Sequence, residues 1–487
     1  MVKNSTQQKL MTNWRWWLCS LLFVATTVNY LDRQVLSLTY EEFIKPQFHW
    51  TDADYGTITS FFSIFYAIAC LFAGKFVDWM GTKKGYLIAI GVWSLGACLH
   101  AGCGWATAIF TDGVADVAAL KAVEAGSNVA LAISTTSVYL FLLCRGILAL
   151  GEAGNFPAAI KVTAEYFPKK DRAFATSIFN AGASVGALAA PLLIPPLAVK
   201  FGWEWAFIII GGLGFIWMFF WAFMYEKPEK SSHVNEAEIE YIHQDDEAEA
   251  AEKAALAAEK SIPFLKCFTF RQTWAFIIGK FFTDGVWWFF LFWAPSYFSN
   301  QFNAPATSGL GQALIFTLYL IVTVISIFGG YLPKLFVEKK GMHPYSGRML
   351  AMLIFAFFPI AALFAQPLGM GFNTPWWPAI LIGLAGAGHQ AWSANLFSTI
   401  GDMFPKSTIA TITGIGAMAG GIGSMIIQYV AGKLFTFAEN SGAAFTFFGF
   451  EGNPAVYFIM FCVCGIAYLI AWTFMKILVP KYKPVKA

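Results

Sequence analysis

Two adjacent charged residues stand inside an apolar stretch that is long enough to cross a lipid bilayer. Asp32 and Arg33 lie within residues 13–40, and about 20 apolar residues in a helix span the hydrocarbon core. Burying one charge at that depth costs about 2.5–3.5 kcal/mol on insertion scales. Such charges persist only where they face water or an opposite charge, so the pair indicates a path for an ion or a charged solute.

The composition places the whole chain in a membrane. Hydrophobic residues make up 57% of the chain and charged residues 13%, whereas soluble domains carry roughly 25% charged residues. The 19 Trp fit aromatic belts at the two membrane surfaces. The formal net charge of +3 gives no reason to expect a nucleic-acid partner.

Apolar runs of membrane-spanning length recur about twelve times, in two groups of six. The first group lies near 14–38, 54–75, 85–106, 136–158, 172–198 and 203–225. The second lies near 272–296, 307–332, 347–366, 376–400, 407–432 and 454–478. We therefore predict an all-α membrane protein of twelve transmembrane helices. Its parts would be a first six-helix half at 1–225, a linker at 226–266 and a second six-helix half at 267–487.

The distribution of basic residues predicts the orientation. On one side they occur at both termini and in the connections, as Lys3, Lys9, Arg15, Lys75, Lys83, Lys84, Lys169, Lys170, Arg172, Lys334, Lys339, Lys340, Arg348, Lys476, Lys481, Lys483 and Lys486. The other side offers only Lys45, Lys121, Lys200 and Lys433. Basic residues favour the cytoplasmic side, so both termini are expected in the cytoplasm.

Two segments depart from the pattern of spans. The linker is acidic and rich in Ala, Glu and Lys, so we expect it to be partly helical along the cytoplasmic surface. Its acidic cluster, which includes Glu236, Glu238 and Glu240, is expected to be solvated rather than to bind a partner. Residues 107–134 are longer than a usual turn and predict a short amphipathic helix over the extracellular mouth.

Further charged residues lie inside other spans. Arg145 and Glu152 are seven residues apart in the fourth span, on one helical face, which predicts an ion pair. That pair is either a static salt bridge or a proton-carrying site, since an apolar setting shifts the ionisation of a carboxyl group. Lys280 and Asp284, at positions i and i+4 of the seventh span, can neutralise each other. His389 either changes charge near neutral pH or is a neutral, hydrogen-bonded core residue.

The loop after the second span carries a motif. Residues 74–84 match G-[KR]-x-x-D-x-x-G-x-[KR]-[KR], which resembles the loop signature of the major facilitator superfamily. The glycines suit a tight turn. In that family the loop latches the cytoplasmic side in the outward-open state, and the resemblance assigns this role to Gly74, Asp78, Gly81, Lys83 and Lys84. A weak echo at 330–348 fits two related halves.

A narrower resemblance is to the anion:cation symporter branch of this superfamily. Residues 29–33, Asn-Tyr-Leu-Asp-Arg, resemble its helix 1 motif, and residues 145–158 resemble its helix 4 motif. Residues 284–295 and 389–395 look most like hexuronate transporters. The resemblance implies proton-coupled import of glucuronate or galacturonate across a bacterial inner membrane, by a monomer without a cofactor. Asp32 and Glu152 would carry protons, with Arg145 modulating them.

The chemistry of a hexuronate selects candidate contacts. Its carboxylate is best bound by a planar, permanently charged guanidinium, which points to Arg33, with the hydroxyl of Tyr30 nearby. Its ring of hydroxyls suits aromatic faces and amides. The second half supplies such groups and one further cation, namely Trp287, Trp288, Gln390, Trp392, Asn395 and Lys280.

Other functions have weaker support. Glycine motifs in the eleventh span follow no strand and suit close helix packing rather than nucleotide binding. No nucleophile–base or metal-ligand spacing supports an enzyme. Two alternatives stay open. One is a transporter with the same fold that carries an aldonate or another organic anion, or that is coupled to Na⁺ instead of protons. The other is a sensor that binds a sugar acid without transport and signals through the acidic linker.

Overall fold

Twelve long helices make up most of the part of the protein that the structure describes. A computed structural model describes residues 11–245 and 262–485. The helices of the first half are α1 (Trp14–Thr39), α2 (Asp52–Met80), α3 (Thr82–Phe110), α4 (Asn128–Tyr166), α5 (Lys169–Phe201) and α6 (Trp203–Met224). Those of the second half are α7 (Arg271–Phe302), α8 (Gly309–Lys340), α9 (Pro344–Gly371), α10 (Trp376–Met403), α11 (Lys406–Ser441) and α12 (Asn453–Leu478).

The helices confirm the predicted membrane fold. Ten of the twelve are long and apolar enough to cross a bilayer. The other two, α1 and α10, carry many of the polar residues that were singled out above. Several helices extend past the predicted spans, because capping residues rather than the end of the apolar run stop them. Ser127 caps the start of α4 by accepting a hydrogen bond from the backbone N–H of Ala130, and Asn303 ends α7 in the left-handed region, at φ 49°.

Each half packs mainly within itself. In the first half α1 lies against α5, and α3 lies against α4 and α6. In the second half α7 lies against α12, and α8 and α9 lie against α10. The halves meet along α2 with α11 and along α5 with α8. The second helix of one half corresponds to the second helix of the other, and the fifth to the fifth. Each contact therefore joins the second helix of one half to the fifth helix of the other, as expected for two related six-helix units.

The insertion forms a short helix, as predicted. Residues Val117–Ala122 are helical, and the Asp116 carboxylate caps them by accepting from the backbone N–H of Ala119 at 2.8 Å. The ring of His49, just beyond α1, is hydrogen-bonded to the carbonyl of Leu120 at 2.9 Å. The insertion therefore packs against the chain that connects α1 to α2.

The described part of the linker is partly helical, as predicted, but one residue of its acidic cluster is not solvated. Residues Glu236–Ile242 form a helix in which Glu238 is fully buried. Its carboxylate accepts from the backbone N–H groups of Trp14 at 3.0 Å and Arg15 at 3.2 Å, and pairs with the Arg15 guanidinium at 3.0 Å. The first N–H groups of a helix lack intrahelical partners and attract negative charge. The solvated interpretation of Glu238 is therefore wrong. Residues 246–261, which hold the rest of the acidic cluster, lie outside the described residues.

The protein is closed on one of its two membrane faces. We call the face where α1 begins and α12 ends the terminal face, and the opposite one the distal face. Five hydrogen bonds that join the halves lie towards the distal face: Tyr55 to the Phe292 carbonyl, Ser299 to Glu42, the Ala53 N–H to Thr436, Ser60 to the Met425 carbonyl and Ser424 to Ser63. The two halves are therefore held together at the distal face.

Gly56 sets the closest approach of α2 and α11 at this closure. A Cβ there would lie 2.7 Å from the carbonyl oxygen of Gln428 and 2.8 Å from the Cα of Gly432. Gly56→Val is therefore expected to shift the protein towards distal opening by about ten- to a hundredfold, since overpacking costs about 1–3 kcal/mol. Hydrogen–deuterium exchange of the distal ends of α2 and α11 measures this. Gly212→Val is the control, because a Cβ at Gly212 meets no atom within 4 Å. Equal protection in both variants would contradict the prediction.

Candidate functional site

A buried salt bridge joins α1 to α4 at the predicted charge site. The guanidinium of Arg33 on α1 donates to Oε2 of Glu152 on α4, from Nη2 at 2.7 Å and from Nε at 3.1 Å. Arg33 is 5% exposed and Glu152 is 1% exposed. The partner of Glu152 is therefore Arg33, and the predicted pairing of Glu152 with Arg145 is not what the structure shows. Seven residues correspond to about 10.5 Å of helical rise, which places Arg145 two full turns away along α4.

The backbone of α4 explains the position of Glu152. The α-helix that begins at Asn128 ends at Glu152, and a turn at 153–154 precedes a second helical stretch. A Cβ at Gly151 would lie 2.2 Å from the backbone nitrogen of Trp93 on α3. Only glycine permits so close a contact. The glycine presses α4 onto α3 where it breaks, and the carboxylate of the next residue reaches α1.

Two further charged side chains, those of Arg145 and Asp32, are buried at this centre. Arg145 and Asp32 are each 1% exposed. Among the described residues, none of the three guanidinium nitrogens of Arg145 and neither carboxylate oxygen of Asp32 has a hydrogen-bond partner. Asp32 lies close enough to Glu152 and Arg145 to interact with their charges. Buried polar groups are nearly always paired, so these atoms are suited to a ligand, a proton or water.

Aromatic rings surround the Arg33 guanidinium. Its Cζ lies 5.1 Å from the ring centre of Tyr30, 4.8 Å from that of Tyr66 and 5.2 Å from that of Trp288. Cations are attracted to aromatic faces at such distances. Because Trp288 belongs to α7, both halves of the protein line the centre. Tyr30 and Trp288 were predicted. Tyr66 of α2 was missed, and so was Phe62 one helical turn before it, whose ring centre lies 5.9 Å from Cζ of Arg33.

Three other predicted residues form a separate group in the second half. Trp287 stacks on His389 with ring centres 5.6 Å apart. Nδ1 of His389 is hydrogen-bonded to the hydroxyl of Tyr468 on α12 at 2.7 Å, and Trp392 meets the same tyrosine edge to face. His389 is thus a hydrogen-bonded core residue. None of these contacts involves the four charged residues at the centre.

The remaining candidates of the second half lie elsewhere on α7 and α10. Lys280 and Asp284 form the expected i, i+4 pair at 2.7 Å, with side chains only 8% and 15% exposed. Asn395 donates to the carbonyls of Gly329 at 2.7 Å and Ala391 at 2.8 Å. It lines a cleft of about 350 Å³ beside α8. Gln390 is half-buried next to His389.

The loop motif makes its ion pair within one half. Asp78 pairs with Lys161 on α4 at 2.8 Å and its side chain is 73% exposed. Gly81 joins α2 to α3 with φ 79°, a backbone conformation that favours glycine. A Cβ at Gly74 would meet nothing within 4 Å, Lys83 is half-buried and Lys84 is exposed. The carboxylate of the motif is thus held in the first half while the distal face is closed.

Comparison with a family model matches residues 22–428 to the Major Facilitator Superfamily. Among curated proteins, the chain is 28% identical over 422 residues to a hexuronate transporter of Escherichia coli (strain K12), covering 86% of this chain and 87% of that protein. It is 26% identical over 359 residues to a galacturonate transporter of Dickeya chrysanthemi, covering 72% of this chain and 92% of that protein.

The overall shape matches solved transporters. A bacterial homologue of the human lysosomal transporter Spinster, in an inward-facing and occupied conformation, superimposes with a TM-score of 0.65. The match covers 97% of this chain and 99% of that one, at 18% sequence identity. At this identity the likeness shows the arrangement of helices, and the chemistry must come from the residues themselves.

Proposed function

The chain belongs to the major facilitator superfamily, and from this we propose that it imports a sugar acid, a hexuronate such as glucuronate or galacturonate, together with protons. It is a membrane transporter and not an enzyme. We further propose that it resides in a bacterial inner membrane with the terminal face in the cytoplasm, as the basic residues indicate. The conformation described above is then inward-facing.

The charge balance of the buried centre carries the proposal of symport. Arg33, Arg145, Asp32 and Glu152 are all at most 5% exposed. With both carboxylates ionised, their four charges cancel. An anion that enters leaves one uncompensated negative charge, which is costly in a medium of low dielectric constant. A proton that binds to either carboxylate restores neutrality, so anion and proton favour each other's binding.

Glu152 and the substrate carboxylate compete for the Arg33 guanidinium, and this competition couples proton binding to anion binding. Glu152 now occupies two of the donors that a substrate carboxylate would use. A proton on Glu152 weakens this salt bridge and frees the guanidinium for the anion. Arg145 adds a second guanidinium whose donors have no partner among the described residues. Asp32, equally unpartnered, is the second group that we propose to carry a proton.

The aromatic side chains suit a sugar ring. Tyr30, Tyr66 and Trp288 all contact the Arg33 guanidinium, so a substrate carboxylate bound there brings its ring against their faces. Their hydroxyl and indole groups offer hydrogen bonds to sugar hydroxyls. Support for a hexuronate comes from the two curated relatives, whose names specify hexuronate and galacturonate.

The remaining predicted residues keep proposed roles. Lys280 is a second-half cation for the anion, once its pairing with Asp284 is relaxed. Trp287, Gln390, Trp392 and Asn395 are proposed to contact the substrate in another conformation. The loop that contains Asp78, Gly81 and Lys83 is proposed to bind the second half when the distal face opens, in exchange for its present pairing with Lys161.

Uptake into proteoliposomes tests the function directly. Labelled glucuronate, galacturonate and galactonate are offered with an inward proton gradient, an inward Na⁺ gradient or no gradient, and internal pH is recorded. We expect accumulation of a hexuronate only with the proton gradient, together with internal acidification. Accumulation of galactonate alone would replace the substrate assignment by an aldonate. Accumulation that follows the Na⁺ gradient would refute proton coupling. Binding of a hexuronate without any flux would favour the sensor.

A further inference from the structure

The distal end of α1 has an unusual backbone. Tyr40–Ile44 form a π-helical segment, followed by the short helix Lys45–Phe48. Such wider turns are rare and occur frequently at functional sites. The segment contains two adjacent acidic residues, Glu41 and Glu42. It lies at the closed distal face, apart from the Arg33 centre.

Acidic residues outnumber basic ones in this segment and its surroundings. Lys45 Nζ pairs with Asp52 at 3.0 Å and with Glu41 at 3.3 Å. The Tyr40 hydroxyl donates to Asp52 at 2.7 Å, while Glu42 accepts from Ser299 of the other half at 2.6 Å. The side chains of Glu41, Lys45 and Asp52 are 15%, 19% and 3% exposed. Two carboxylates thus share one ammonium group in a largely dry gate, and a third, that of Glu42, faces the other half.

One carboxylate oxygen of this gate is left without a partner. Among the described residues, Oε2 of Glu41 is buried without a hydrogen bond, and so are the hydroxyls of Ser296 and Tyr297 on α7. Ser296 lies close enough to Glu41 to favour its ionised form in part. An ionised oxygen buried without a hydrogen bond is costly, whereas a carboxylic acid could donate one. The geometry of the closed gate therefore suits a protonated Glu41.

The other titratable groups near Glu41 do not supply a positive charge that would favour its ionised form. Asp52 and Tyr55 approach from α2 and Tyr457 from α12. Each adds negative charge if it ionises. Glu439, at the distal end of α11, acts on Lys45. Burial raises the pKa of Glu41 above its ordinary value, and Lys45 and Ser296 oppose this only in part.

We propose that Glu41 is a proton-binding site of the distal gate, and that the gate closes when this carboxyl group takes up a proton from the distal side. In the open gate Glu41 is hydrated and keeps its ordinary pKa. In the closed gate its pKa is higher, so proton binding favours closure. Closure is complete at low pH and weakens as the pH rises through the pKa of the closed state. This site is separate from Asp32 and Glu152, and it needs no substrate.

Hydrogen–deuterium exchange of the full chain in lipid nanodiscs, without substrate, tests the proposal. Exchange in residues 40–56 and 292–303 is followed between about pH 5 and about pH 8, after correction for the intrinsic pH dependence of exchange. In the wild type we expect protection at low pH that is lost at high pH. Glu41→Gln should stay protected throughout. The control Glu451→Gln makes the same chemical change at an exposed residue of the same face and should behave like the wild type.

A second variant keeps the test decisive if Glu41→Gln does not fold. Lys45 lowers the pKa of Glu41, so Lys45→Gln should move the midpoint of protection to higher pH. A wild-type gate whose protection does not change with pH would overturn the proposal. So would a Glu41→Gln variant that responds like the wild type, or a midpoint that stays or falls in Lys45→Gln. Because no sugar acid is present, these outcomes are independent of the transported substrate.

Discussion

Replacing Glu152 with glutamine is expected to abolish proton-driven accumulation while exchange of the sugar acid across the membrane continues. Glutamine cannot ionise, so Arg33 is free for the anion at any pH and a proton is no longer needed to release it. If one proton accompanies each anion, a gradient of about one pH unit sustains about tenfold accumulation, since it is worth about 1.36 kcal/mol. In the variant this ratio should fall to about one.

Two measurements in the same proteoliposomes separate coupling from transport. Counterflow against unlabelled sugar acid should persist in Glu152→Gln, while gradient-driven accumulation disappears. Glu124→Gln is the matched control, because it makes the same change at an exposed residue of the distal insertion. If Glu152→Gln still accumulates substrate, the coupling proton does not bind to Glu152. Asp32→Asn then becomes the variant to compare.

Removal of the Arg33 guanidinium is the second large effect. Arg33→Ala leaves Glu152 buried without its ion-pair partner, which costs about 3–5 kcal/mol when a buried pair is broken. It also removes the donors proposed to bind the substrate carboxylate. We expect apparent affinity for the sugar acid to fall by about a hundredfold or more. Arg33→Lys keeps the charge but not the planar fork, so its loss should be smaller.

A double variant distinguishes the structural from the binding role of Arg33. Arg33→Ala with Glu152→Gln removes both charges of the salt bridge, so its thermal stability should recover towards that of the wild type. Affinity should stay low, because the guanidinium is still missing. Thermal unfolding and substrate binding in detergent measure the two effects on one sample. If affinity recovers together with stability, the substrate carboxylate does not bind to Arg33, and Arg145 is the remaining donor at the centre.

The sequence was sufficient to predict which charged residues gather, but not how they pair. Charge inside a membrane span is tolerated only beside other charge or water. The four charged residues of the first half were therefore expected to lie close together, namely Asp32, Arg33, Arg145 and Glu152. Which arginine meets Glu152 depends on how α4 packs against its neighbours, as in the close contact of Gly151 with Trp93 of α3. Spacing along one helix does not contain that information.

The adjacent tryptophans show a similar limit. Consecutive residues on an α-helix point about 100° apart, so Trp287 and Trp288 cannot both face the centre. In the structure Trp288 faces Arg33 and Trp287 stacks on His389. Helix ends were also beyond prediction from apolar runs, because capping side chains such as Ser127 set where a helix begins.

The buried Glu238 bears on how the transporter can be divided into separately expressed fragments. Its carboxylate holds the first turn of α1 and neutralises Arg15. A fragment that stops at Tyr225 would contain all six helices of the first half, yet the start of α1 would lose its cap and Arg15 its counter-ion. The chain should therefore be divided into fragments, or a reporter protein inserted, after residue 245 rather than directly after α6.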